Sequence, residues 1–158
     1  YTVRDDKENA REVTAPVDTH PGELVVSTHP EQVPVLRYYL GGGLRWASTI
    51  GPVPDPQIFD WRDAVDRLRT ARTRDRVDAT IASVDPGSEF LVVAPVFRDY
   101  RAWKAKWTRL VWQKSTAYTD LLGSDRRVRL VRRIATDEVA VKHNYFKPLQ
   151  VLVYRRLR

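Results

Sequence analysis

The side chains able to do chemistry are few and scattered. Three histidines, His20, His29 and His143, occur, and no two stand at a spacing that would place them on one metal ion. The chain has no cysteine, which excludes disulfides, thiol catalysis and cysteine-ligated metal and leaves the redox compartment open. No nucleophile elbow, metalloprotease helix or dinucleotide-binding glycine fingerprint is present. Asp60 and Asp63 are spaced as a pair of carboxylates could be for acid–base work. Aspartate also caps helix starts, and a carboxylate version of the capping box accounts for the pair better. The residues therefore offer no catalytic set and no metal set, and no cofactor is expected.

His29 stands out by position. The turn His20-Pro21-Gly22 is followed by an apolar, β-branched run, Leu24 to Val26, too short for a helix. Polar Ser27-Thr28-His29 ends that run. Pro30 suits a first helical turn because its missing N–H would have no partner there. Val33, Leu36, Tyr39 and Leu40 continue at helical spacing, and Pro34 makes the helix start irregular. Strand, polar turn and helix form the first unit of an α/β sheet, where ligands lie beyond the carboxyl ends of the strands. Thr28, His29, Glu31 and Gln32 thus become candidate ligand-binding residues. The competing reading is that His29 is a hydrogen-bonded turn residue and that Glu31 serves the helix start.

Further elements position these residues. A short helix is expected within Asp6 to Val13, stopped by Pro16, and Gly41-Gly42-Gly43 should end the helix after the first strand. Leu44 to Ile50 reads as a second strand. The triple-proline stretch Gly51 to Pro56 cannot be regular. Asp60 then caps a helix carrying Trp61, Ala64, Val65 and Leu68 on one face. Val77, Ile81 and Val84 fall on the opposite side at about 100° per residue, so a break is expected within Arg72 to Asp75. Asp85-Pro86-Gly87 closes the second of these helices.

Glu89 to Val96 is the clearest strand, its continuous apolar run marking it as central, and it is expected beside the equally apolar first strand at the sheet centre. At its carboxyl end Arg98, Asp99, Tyr100 and Arg101 form a polar turn. Tyr100 could stack on a sugar ring, and Arg98 or Arg101 could hold a phosphate. A helix from about Ala102 to Leu122 carries Trp103, Trp107, Leu110, Val111, Tyr118, Leu121 and Leu122 as its stripe, with Trp112 on the wet side. Val128 to Ile134 and Leu149 to Leu157 are the last strands, expected antiparallel because no convincing helix connects them. The fold class is three-layer α/β: a Rossmann-like, mostly parallel sheet of about five strands with an antiparallel C-terminal strand.

At 158 residues and 42% hydrophobic the chain is long enough for one domain with a proper core. It has no apolar run of about 18 residues to span a membrane. Residues 1–60 hold 5 Lys/Arg and 9 Asp/Glu (−4) and residues 61–158 hold 22 and 11 (+11), which together give the net +7. That asymmetry points to an anionic partner or to a solvated arginine-rich surface. Residue 1 is tyrosine and the chain has no methionine, so residues 1–158 are expected to be one domain of a longer protein.

Pro21 to Gln32, Tyr38-Tyr39-Leu40, Gly51 to Pro56 and Asp60-Trp61-Arg62-Asp63 resemble the soluble tail of a known family. It is the segment after the last membrane helix in actinobacterial integral-membrane glycosyltransferases of the GT-C type, relatives of protein O-mannosyltransferases and aminoarabinose transferases. The resemblance covers most of the chain as short phrases and contains no catalytic signature. It implies an extracytoplasmic cell-envelope domain without catalysis of its own, attached to the membrane-embedded part of the same protein. Its expected partners are a lipid-phosphate sugar or anionic lipid surface, and a glycan acceptor. The alternative class is a free-standing α/β enzyme or cofactor-binding domain. A nucleic-acid module has only charge in its favour and lacks an RNA-binding signature, so no nucleic-acid partner is expected.

Overall fold

Strand β3 (Glu89–Pro95) is central because its continuous apolar run can be buried on both faces, and all of it after Glu89 is buried. In the computed structural model, which describes residues 10–96, 105–135 and 149–158, β3 lies in a five-stranded sheet of order β2-β1-β3-β5-β4. In chain order the elements are α1 (residues 10–14), β1 (Leu24–Ser27), a 3-10 turn (Pro30–Gln32), α2 (Val33–Leu40), β2 (Arg45–Ser48) and α3 (Ala64–Thr70). There follow α4 (Thr73–Ala82), β3, α5 (Lys106–Gly123), β4 (Val128–Ala135) and β5 (Leu149–Arg156). β1 pairs in parallel with both β2 and β3, and β5 pairs antiparallel with β3 and β4. The fold is Rossmann-like α/β, mostly parallel, with the last strand inserted antiparallel between β3 and β4.

Alternation along the strands sorts the core into two layers. Leu24, Val26, Phe90, Val92, Leu152 and Tyr154 face Val77 and Ile81 of α4 and Tyr118 and Leu122 of α5. Val25, Leu91, Val93 and Val151 face Ala10 and Val13 of α1 and Val33 and Leu36 of α2. The register Val25↔Leu91 and Val26↔Val92 confirms β1 and β3 as neighbours at the sheet centre.

Local chemistry explains the boundaries. Pro30 opens the helical stretch as a 3-10 turn, Pro34 stands in the first turn of α2, and Gly41 ends it at φ 87°, a conformation costly for other residues. The helix break falls at Ala71–Arg72, slightly ahead of the expected place, where both residues are extended. Lys114 Nζ of α5 donates to the Ala71 carbonyl at 2.6 Å and covers that helix end.

Three expectations are corrected. Asp60 does not cap a helix: α3 begins at Ala64 with Asp63 in the cap position at φ 50° and without a side-chain cap bond. Asp60 Oδ1 instead accepts the Arg62 backbone N–H at 3.0 Å, closing an Asx turn. Trp61 consequently leaves the helical face and is 56% exposed. Trp112 is half-buried, because α5 packs on both α3 and α4 and little of its surface stays wet. The turn Arg98 to Arg101, with Trp103 and His143, lies outside the described residues, as does the chain between β4 and β5.

Candidate functional site

The strand order 2-1-3 makes the gap between the carboxyl ends of β1 and β3 the point where connection direction reverses, the usual ligand position in open α/β sheets. The turn after β1 stands there, locked by its own side chains. Ser27 Oγ donates to the His29 carbonyl at 2.7 Å, and the Thr28 N–H donates to Val93 O at 3.0 Å. Thr28 is fully buried, its hydroxyl 2.7 Å from Ser115 Oγ on α5. Thr28 thus ties the turn to a helix and does not face solvent.

His29 is also buried, with Nε2 in hydrogen-bond contact with Glu31 Oε1. The same Glu31 oxygen accepts the Trp107 indole N–H at 3.1 Å. Half-exposed Glu31 thus links the β1 turn to the start of α5. Gln32 is buried, its backbone N–H donating to His29 O at 2.9 Å. Three buried polar atoms at this end of the sheet, His29 Nδ1, Gln32 Oε1 and Thr49 Oγ1, have no hydrogen-bond partner among the described residues. Of the expected site residues, the structure brings Thr28, His29, Glu31 and Gln32 together, while Arg98, Tyr100 and Arg101 lie outside the described residues.

Beside this turn, on the β2 side, a cleft of about 360 Å³ opens, within the size range of small-molecule sites. Pro30 and Val33 form one wall; Pro52, Asp55, Phe59, Asp60 and Arg67 are on the other. Pro52 is steered there by Gly51, at φ 153°, where an added Cβ would lie 3.1 Å from Arg76 Nη1. Phe59 lines the cleft, and two further aromatics pack against it at the rim. Phe59 and Trp61 meet edge to face at 4.7 Å between centroids, and Trp107 lies 5.2 Å from Trp61 and 5.8 Å from Phe59. Trp107 therefore connects the cleft to Glu31. Ile58 and Trp61 present large exposed apolar surface at the same place.

Charge in the cleft is arranged by two arginines. Arg62 forks onto the Asp60 carboxylate at 2.8–3.2 Å. The Arg62 side-chain and backbone hydrogen bonds hold that carboxyl far below the usual carboxylate range. Asp60 thus stays ionised and can accept hydroxyl hydrogen bonds, but it is unsuited to deliver a proton. Arg67 donates to the carbonyls of Arg62, at 2.9 Å, and of Asp60, stapling the loop. Among the described residues no group of three or more His, Asp or Glu side chains is placed to hold a metal ion. The cleft can stack a ring on its aromatic rim and hydrogen-bond hydroxyls through Asp60. Phe59, Trp61, Asp60 and Arg67 were missed as site residues because Asx turns and helix caps share a sequence signature; the clustered aromatics after a proline run were the available signal.

No protein-family model matches the chain, and no curated protein matches its sequence. A solved structure of mitomycin 7-O-methyltransferase is similar over 96% of this chain at 14% identity and a TM-score of 0.42. The chain spans 54% of that protein's length.

Proposed function

We propose that this chain is the non-catalytic extracytoplasmic domain of a membrane glycosyltransferase that uses a polyprenyl-phosphate sugar, and that its cleft positions a sugar for the membrane-embedded site. One observation carries the reading. Three of the four phrases that resemble the glycosyltransferase tails, all but Tyr38-Tyr39-Leu40, meet at a single cleft, since Pro30, Pro52, Val53, Pro54, Asp55 and Asp60 all line it. An aromatic rim with an ionised carboxylate suits a sugar ring, which offers an apolar face for stacking and hydroxyls for hydrogen bonding. Among the described residues no helix is long and apolar enough to cross a membrane, so the reading places the membrane spans elsewhere in the parent protein.

Two outcomes follow. The purified chain turns over neither polyprenyl-phosphate sugars nor simple glycosides, because Asp60 is forked onto Arg62 and held ionised, so it cannot deliver a proton as a general acid. Turnover that a single carboxylate substitution abolishes would overturn this. Titration of isotope-labelled chain with neutral oligosaccharides should shift amides of Pro52–Asp60 neighbours and of Glu31, and Trp61→Ala should weaken binding about tenfold, a loss of about 1.4 kcal/mol. Shifts confined to the opposite sheet edge, around Gly87 or Gly123, would dismiss the cleft.

A further inference from the structure

We propose that the outer edge of the sheet, β4 with the end of β5, is a docking surface for an anionic lipid bilayer. This goes beyond the cleft reading and rests on a different part of the molecule. In the sequence Arg126 to Arg133 and Arg155 to Arg158 are well apart. The β4–β5 register sets Arg129 directly opposite Arg155 and Val128 opposite Arg156. A register shift between Leu130 and Arg132 then leaves Arg132 opposite Val153, so Arg129, Arg132 and Arg155 share one face. Like charges directly opposite repel.

The fold neutralises only part of this charge. Arg155 meets Glu89 at 2.9 Å, and Arg127 meets Asp78 and Asp125 at 2.7 Å. Arg133 is held by Gln150 and Arg156 by the Val84 carbonyl. Arg126, Arg129 and Arg132 meet no carboxylate among the described residues, and all three are exposed. Between them Leu130 and Val131 are 46% and 42% exposed. On that face the α1–α2 layer covers Leu149 and Val151 and leaves Val153 and Arg155 half-exposed.

The partner must be anionic, extended and tolerant of aliphatic side chains. At about 3.3 Å per residue, Arg129 to Arg133 span about 13 Å, more than one phosphate group covers. Strand addition to β4 is disfavoured, because arginines and a register irregularity are the devices that block edge pairing. Nucleic-acid binding would gain from exposed aromatics for stacking, and the exposed large apolar residues of this edge are the aliphatic Leu130, Val131 and Leu157. A headgroup layer takes both guanidinium and aliphatic groups.

Co-sedimentation with phosphatidylglycerol–phosphatidylcholine vesicles tests this. The chain should partition onto them at low salt and leave as salt rises. Each guanidinium near an anionic leaflet raises partitioning about fivefold, so R129Q/R132Q should lower it about 25-fold. Val131→Asp should lower it as well, whereas R69Q/R72Q, on exposed positions of α3 and of the α3–α4 junction, should change it little. All these positions are exposed, so unchanged melting curves certify folded variants. Equal binding to pure phosphatidylcholine, no binding at low salt, or equal losses in the two arginine pairs would overturn the proposal. So would displacement by inorganic phosphate beyond its effect on ionic strength, or equally tight binding of duplex DNA. Any of these would leave the cleft reading standing, because the saccharide titration reads other residues.

Discussion

Replacing Phe90 with alanine lowers the free energy of unfolding by about 3–5 kcal/mol, the range for a large buried aromatic. The ring is completely buried and stacked on Tyr154, centroids 5.8 Å apart and planes 20° apart. It belongs to the layer formed with Val77, Ile81, Tyr118 and Leu122. The void left behind cannot close easily, because β3 is laddered on one side to β1 and on the other to β5. Leu130→Ala, on the exposed edge, should cost well under 1 kcal/mol. Urea unfolding of both variants checks this through a lowered midpoint at unchanged slope. A Phe90 loss below about 1 kcal/mol would mean that this layer is not packed as described.

The same features that make Phe90 costly made much of the fold legible. Continuous apolar runs at β1 and β3 specify burial on both faces whatever surrounds them, so both strands and their adjacency followed from composition. The break between α3 and α4 followed from helix geometry, since Leu68 and Ile81 cannot share a face of one straight helix. The insertion of β5 between β3 and β4 was not legible. It is decided by pairing between residues about 60 apart, such as Phe90 with Tyr154, and no local pattern encodes that choice. The stretch Asp60 to Asp63 misled for another reason. An aspartate that closes an Asx turn and one that caps a helix use the same atoms on backbone donors two or three residues on, and only the arrival of Arg62 decides between them.

The site divides in the same way. Its place at the carboxyl ends of β1 and β3 came from the strand–turn–helix pattern, a local signal. The partners within it did not, because they are supplied by α5. Thr28 turns inward to a serine 87 positions away, and Glu31 receives an indole N–H from 76 positions away. Trp107, expected as core, is half-buried against Phe59 and Trp61. An apolar stripe fixes which face of a helix points inward but not whether loop aromatics extend that face into a rim.

Alkaline pH should destabilise the chain through Tyr118. The residue is fully buried, its hydroxyl 2.7 Å from Thr80 Oγ1. Burial pushes the phenol up to about 12, and the Thr80 hydrogen bond offsets only part of that. The unfolded chain ionises this tyrosine near pH 10, so the folded state holds the proton more tightly. Its contribution is complete below about pH 10 and is lost as pH rises through about 12, a total of about 2–3 kcal/mol. Tyr154, also buried and pushed up by burial, adds a slope of the same sign. Tyr118→Phe should flatten most of that alkaline loss. At neutral pH it should itself cost about 1–3 kcal/mol, because the Thr80 hydroxyl would be left buried without its partner. Adding Thr80→Val removes the orphaned group, so the double variant should recover part of the loss in a double-mutant cycle. Urea titrations of the four proteins at about pH 7 and about pH 11 supply every term. An alkaline slope unchanged in Tyr118→Phe would place the titrating group elsewhere, and strictly additive losses would mean that the two hydroxyls do not interact.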